Sequence, residues 1–185
     1  MDIKISLKDV VLETERLILR AWQESDLNDF FEYASVPGVG EMAGWNHHES
    51  IEYSKRVLES FIENDNVFAI ASKENKKVIG SLGIHSSWAN EEEELKDLKV
   101  QEIGYVLAKD FWGRGLMVEA VRKVIDFCFN DLKLDALTAS HFSFNSQSKR
   151  VIEKCGFKYY KIISRYVKQQ NKTYDSLRYI LFRNN

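Results

Sequence analysis

Two glycines, Gly113 and Gly115, bracket Arg114 in the stretch Asp110-Phe111-Trp112-Gly113-Arg114-Gly115. A strand-like run, Gln101 to Leu107, precedes them, and a long amphipathic pattern, Leu116 to about Leu132, follows. A glycine turn at a helix N-terminus exposes backbone N–H groups at the positive end of the helix dipole. That suits a phosphate or pyrophosphate. A Walker loop needs four residues between its glycines and then Lys-Ser/Thr, and neither is present. The dinucleotide fingerprint needs a third glycine where Val118 stands, and an acidic ribose-binding residue after the next strand. That strand ends instead in Ser140-His141-Phe142. What remains is a Gly-x-Gly turn whose amides face an anion, with Arg114 adding charge, or a tight turn with no ligand. A second punctuated segment, Asn145 to Gly156-Phe157, lies one strand downstream.

The elements that must position these residues read as follows. Glu15 to Trp22 is a first strand, and Ser25 or Asp26 caps a helix carrying Leu27, Phe30, Phe31 and Ala34 at helical spacing. Val36-Pro37-Gly38-Val39-Gly40 breaks that helix, and a second runs from about Glu49 to Ile62. Val67 to Ala71 and Val78 to His85 form a hairpin about Asn75-Lys76-Lys77. Gln101 to Leu107 is the fourth strand and Ala136 to Phe142 the fifth. Ser146 to Cys155 is a short helix stopped by Gly156, and Lys158 to Val167 and Leu177 to Phe182 close the chain. The order β-α-α-β-β-β-α-β-α-β-β implies a mixed α/β layered fold. Glu91 to Glu94 with Asp97 reads as a solvated acidic loop or a surface for a basic substrate.

The 185 residues fit one domain, 1–185. Hydrophobic residues make up 44% and charged residues 29%, the net charge is −2, and the pI is about 6.1. That balance argues against a nucleic-acid or membrane-surface protein. Cys128 and Cys155 lack metal spacing and cannot build a disulfide scaffold, so a reducing cytoplasm is expected. Met1-Asp2-Ile3-Lys4 does not open a signal peptide, and no apolar run is long enough to span a bilayer. His47-His48-Glu49 reads as the start of the second helix, with no further cluster for a metal. No sequence feature separates a monomer from a homodimer.

Glu102-Ile103-Gly104-Tyr105-Val106-Leu107, followed by Phe111-Trp112-Gly113-Arg114-Gly115-Leu116-Met117-Val118-Glu119-Ala120, resembles motif A of the GNAT N-acetyltransferases. Asn145-Ser146-Gln147-Ser148-Lys149-Arg150-Val151-Ile152-Glu153-Lys154-Cys155-Gly156-Phe157 is similar to their motif B. The openings Leu12-Glu13-Thr14-Glu15-Arg16-Leu17-Ile18-Leu19-Arg20 and Val78-Ile79-Gly80-Ser81 are similar to the RimJ/RimL-like branch. The resemblance covers nearly the whole chain. It implies a mostly antiparallel central sheet of about seven strands, helices on both faces, and a splay between the fourth and fifth strands.

The resemblance also implies an acetyl-coenzyme A donor and direct transfer to a primary amine. The amine would be a protein N-terminus, of the ribosomal kind, or a small molecule; with catalysis lost, the cleft would serve an acyl-coenzyme A-binding module. Pantetheine would pair with Tyr105, Val106 and Leu107, and the diphosphate would sit on amides from Gly113 and Arg114 through Gly115, Leu116, Met117 and Val118. One departure stands at Asp110, where the family commonly carries Gln or Arg. The amine must lose a proton to attack. Glu102 is the candidate base, since alternation puts it on a face with Gly104 and Val106. The tyrosine acid of many family members falls here at Ile152, so Ser148 is the candidate acid, with Tyr105 and Tyr159 behind it. Asn145 would hold the pantetheine or the acetyl group, cap the following helix, or both. Trp45 would roof the acceptor site or anchor its loop.

Overall fold

The computed structural model describes residues 4–183; the Met1-Asp2-Ile3 segment, read above for a leader, lies outside them. The strands are β1 Leu12–Glu13, β2 Leu17–Ala21, β3 Val67–Ser72, β4 Val78–Ser86, β5 Val100–Leu107, β6 Ala136–Phe142, β7 Lys158–Val167 and β8 Lys172–Phe182. The helices are α1 Leu27–Ala34, α2 Ile51–Asn64, α3 Leu116–Asn130 and α4 Ser146–Lys154. One sheet runs in the order β1-β2-β3-β4-β5-β6-β8-β7. Every neighbouring pair is antiparallel except β5 and β6. These two are the fourth and fifth strands of the sequence reading.

Period-two alternation divides the sheet between two cores. Leu19, Phe68, Ile70, Leu82, Ile103 and Leu137 pack with Met117, Val121 and Val124 of α3 and Ile152 of α4. Trp22, Ala69 and Ala71 turn the other way, onto Phe30 and Tyr33 of α1 and Leu58 of α2. Burying a Leu, Ile or Phe side chain contributes roughly 1.5–3 kcal/mol, so α3 is held to the sheet chiefly by this seam.

The sheet has eight strands among the described residues, one more than expected. β1 is two residues long, too short for alternation to show, and tertiary contacts hold it. Glu119 in the first turn of α3 accepts from Thr14 Oγ1 (2.5 Å), the Arg16 backbone N–H (2.9 Å) and Arg16 Nε (2.8 Å). β8 starts five residues before the expected Leu177 because polar Lys172–Ser176 finds its ladder on β7. Ser50, not His47 or His48, opens α2: its Oγ accepts from the Tyr53 N–H at 3.2 Å. Glu91, Glu93, Glu94 and Asp97 of the acidic run are exposed, while Glu92 is partly buried. Glu92 pairs with Lys161 and lies 3.8 Å from Arg178, Glu94 accepts from the Tyr160 hydroxyl, and Trp88 is buried against Tyr160 and the Arg178 guanidinium. The run therefore clasps residues 88–94 to β7 and β8. No helix of the described residues is long and apolar enough to cross a membrane.

Burial alone would raise the Glu119 pKa, but hydrogen bonds from Thr14 and Arg16 outweigh it and hold the carboxyl below its usual value. Glu119→Ala should cost about 1–3 kcal/mol, because it leaves the Thr14 and Arg16 donors without their acceptor. The Glu119 contribution is present above the unfolded carboxylate pKa and is lost as pH falls through the lower folded value. Urea unfolding at neutral pH and at low pH checks both: the gap between wild type and variant should narrow in acid.

Candidate active site

The β5–β6 ladder is three residues long, pairing Val100 with Ala136, Gln101 with Leu137 and Glu102 with Thr138. Beyond Glu102 each strand stays with its outer neighbour. β5 follows β4 as far as Leu107 opposite Gly80, and β6 follows β8 as far as Phe142 opposite Ser176. The strands part, and a cavity of about 810 Å³ runs through the gap. The second halves of β5 and β6, the start of α3, α4, and Val39, Met42 and Ala43 line it.

At one end lies the glycine turn. Gly113 (φ +76°) and Gly115 (φ +77°) are both left-handed, a conformation that costs other residues roughly 1–2 kcal/mol. The Glu119 N–H is bonded to the Gly115 carbonyl, so the amides just before it lack partners within the helix. Gly113, Gly115, Leu116, Met117 and Val118 line the cavity. Arg114 does not; its guanidinium lies over the Phe111 ring at 5.2 Å. The Arg114 carbonyl accepts from Arg16 Nη1 at 3.0 Å. Arg16 therefore holds both the turn and, through Glu119, the first turn of the helix. Asp110 is exposed and outside the cavity lining. Arg150 and Lys154 of α4 line it instead, supplying cations that the sequence reading did not single out.

Glu102 stands where the strands part. Burial raises its pKa; a 2.6 Å hydrogen bond from Ser140 Oγ and the nearby Arg165 and Arg178 charges oppose that rise. Ser140 lies two residues beyond Thr138 on β6, so this bond bridges the start of the gap. His85 sits opposite Glu102 across the β4–β5 ladder and also lines the cavity.

Tyr105 and Ser148 meet across the gap. The Tyr105 hydroxyl lies 3.0 Å from Ser148 Oγ and 3.3 Å from its carbonyl oxygen, and burial raises the tyrosine pKa. Asn145 caps α4, its Oδ1 accepting from the Ser148 N–H at 3.0 Å while its Nδ2 donates to the Met42 carbonyl at 3.0 Å. It thus ties the 39–43 loop to the helix while lining the cavity. Val106 lines it too, as does Leu107, whose carbonyl accepts from the Trp112 indole N–H at 2.7 Å. Tyr159 is exposed on β7 and outside the lining, and Ile152 is buried in the core. Trp45 packs against Gly40 and His48 rather than lining the cavity.

A family model described as an acetyltransferase (GNAT) domain matches residues 16–158. The chain belongs to the GNAT acetyltransferase family. A Bacillus subtilis (strain 168) relative, the uncharacterized N-acetyltransferase YoaA, is 29% identical over 171 residues, covering 90% of this chain and 93% of the relative. The crystal structure of a ribosomal-protein-S5-alanine acetyltransferase from Vibrio fischeri superposes with a TM-score of 0.75 at 22% identity, covering 96% of this chain and 98% of the other. A spermidine N-acetyltransferase from Vibrio cholerae, in complex with coenzyme A and spermine, gives 0.74 at 16% identity, covering 91% and 96%. The fold is the mixed, mostly antiparallel layer architecture of these enzymes.

This acetyltransferase has residues that fit a long anionic thioester donor. Two left-handed glycines bare the first amides of α3, cations from α4 stand on the cavity wall, and the edge of β5 beyond Glu102 has no strand beside it. No group of three or more His, Cys, Asp or Glu among the described residues is placed to hold a metal ion. The sequence reading omitted His85, Ser140 and Arg165 from the site. Only strand register brings them to Glu102, and register is not written in one strand's own residues.

Ser140 donates to the ionised form of Glu102, so Ser140→Ala should raise the Glu102 pKa further. A carbon-13 NMR titration of the Glu102 carboxyl should show its midpoint moving to higher pH. An unchanged midpoint would mean that the Ser140 hydroxyl does not hold the carboxylate.

Proposed function

We propose that this N-acetyltransferase moves an acetyl group from acetyl-coenzyme A to a protein N-terminal α-amine, in the manner of the RimJ/RimL-like branch and in the cytoplasm. The carrying observation is the charge of the cavity wall. Among the described lining residues Glu102 is the one carboxylate, and the charges near it are those of Arg165 and Arg178. A polyamine carries several positive charges and would need several carboxylates. A single amine needs one, and a peptide brings one amine at its very end. The small-molecule alternative is thereby narrowed to monoamines.

The donor supplies the acetyl group as a thioester, its diphosphate on the amides of Gly113 through Val118 and its pantetheine along Tyr105 and Val106. Binding both substrates together places the amine beside Glu102. The amine nitrogen forms the new C–N bond as the C–S bond breaks, and its proton passes to the Glu102 carboxylate. Burial makes Glu102 a stronger base than an exposed carboxylate, while Ser140 keeps enough of it ionised to act. Ser148, hydrogen-bonded to Tyr105, gives its hydroxyl proton to the departing sulfur and is reprotonated from solvent, to which Glu102 releases the amine's proton. Asn145 holds Ser148 at the first turn of α4.

Glu102→Gln keeps the shape and removes the base. It should lower kcat by about 10²–10⁴-fold on N-terminal peptides while leaving coenzyme A affinity close to wild type. Thiol release with a peptide panel and titration calorimetry with coenzyme A measure the two. Wild-type protein that releases no thiol with peptides, yet does so with spermidine, would overturn the proposed acceptor.

A further inference from the structure

His85 has no part in the proton path just described, yet its surroundings are built around it. Its ring lies over two glycines that face each other across the β4–β5 ladder, Gly83 and Gly104. A Cβ at Gly83 would fall 2.2 Å from His85 Nε2, and one at Gly104 would fall 3.8 Å away. Any side chain at position 83 would push the ring off its seat. The ring is open to the cavity, next to Glu102 in register.

The hydrogen bonds around it fix which nitrogen carries the proton. The Ile84 N–H donates to the Asn66 backbone carbonyl at 2.8 Å, and Asn66 Nδ2 donates to the Ile84 carbonyl at 3.2 Å. The Ile84 carbonyl thereby sets the direction of the Asn66 amide. The same Nδ2 lies 3.4 Å from His85 Nδ1. An amide NH₂ only donates, so Nδ1 accepts, and a neutral ring has its hydrogen on Nε2. Partial desolvation against the strand lowers the His85 pKa, which favours the neutral ring. A neutral Nε2–H cannot take an amine's proton at that nitrogen. It can donate to an oxygen.

Directly opposed side chains on paired strands lie about 4.5–5.5 Å apart at Cβ. An amine held at Glu102 therefore brings its near neighbours in the substrate to His85. In a peptide that neighbour is the carbonyl of the first residue; in a simple alkylamine there is no oxygen there. We infer that the Nε2–H of His85 donates a hydrogen bond to the carbonyl beside the acceptor's amine, so that the site selects peptide-type α-amines over alkylamines. This rests on the peptide acceptor proposed above.

Three proteins test it: wild type, His85→Leu, which removes the donor, and His85→Gln, whose amide can present an N–H near the Nε2 position. Each is assayed with an N-terminal peptide and with an alkylamine of similar size. His85→Leu should lower the peptide-to-alkylamine ratio of kcat/KM about tenfold through the peptide KM, the worth of one hydrogen bond, and His85→Gln should restore most of it. Nitrogen-15 NMR of the His85 ring in wild-type protein, with no acceptor added, should show hydrogen on Nε2 and none on Nδ1. Hydrogen on Nδ1, or equal losses on both acceptors in His85→Leu, overturns the inference while leaving the peptide reading intact. Wild-type protein that acetylates the alkylamine and no peptide overturns both.

Discussion

The structure depends on the early end of one strand pairing. β5 and β6 share only three rungs, and past Glu102 and Thr138 neither has the other for a partner. Backbone N–H and C=O groups demand hydrogen bonds, so an interior pair of strands that separates needs a compensating arrangement. Here β4 and β8 carry the outer edges of the parted strands to Leu107 and Phe142. Across the inner edges, the Ser140–Glu102 bond closes the start of the gap and the Tyr105–Ser148 contact ties β5 to α4. The cavity, the raised Glu102 pKa and the place of the glycine turn all follow from that geometry.

The second constraint is the anchoring of the turn itself. Two left-handed glycines free the backbone to expose its amides but do not fix where those amides point. Arg16 does that, reaching the Arg114 carbonyl and the Glu119 carboxylate at once. The β1–β2 corner that carries Arg16 therefore supports the site, though it lines none of it. Glu119 is held between the β1–β2 corner and α3, which couples the stability of the corner to the position of the turn.

Much of this was legible in the residues. The two glycines, the amphipathic run after them and the Asn145–Gly156 segment announced a strand–turn–helix, then strand–helix, with little ambiguity of type. Gly113, Gly115, Leu116, Met117, Val118, Tyr105 and Ser148 all stand on the cavity wall. Arg114 does not; its guanidinium lies over the Phe111 ring instead. β1 was missed because two residues carry no period. The polar first half of β8 was missed because its stability comes from pairing with β7 rather than from a buried face.

By itself, the sequence determined what is local: glycines where only a left-handed backbone fits, the Asn145 helix cap, apolar faces, and a carboxylate at the start of a strand. What surrounds that carboxylate is not local. His85 reaches Glu102 through the β4–β5 register, Ser140 reaches it from β6 two residues past the last rung, and Arg165 comes from β7 on the far side of β8. Each depends on which strands pair and where a pairing stops. Those are properties of the whole sheet, decided by the balance of packing on both its faces, and only the tertiary structure expresses them.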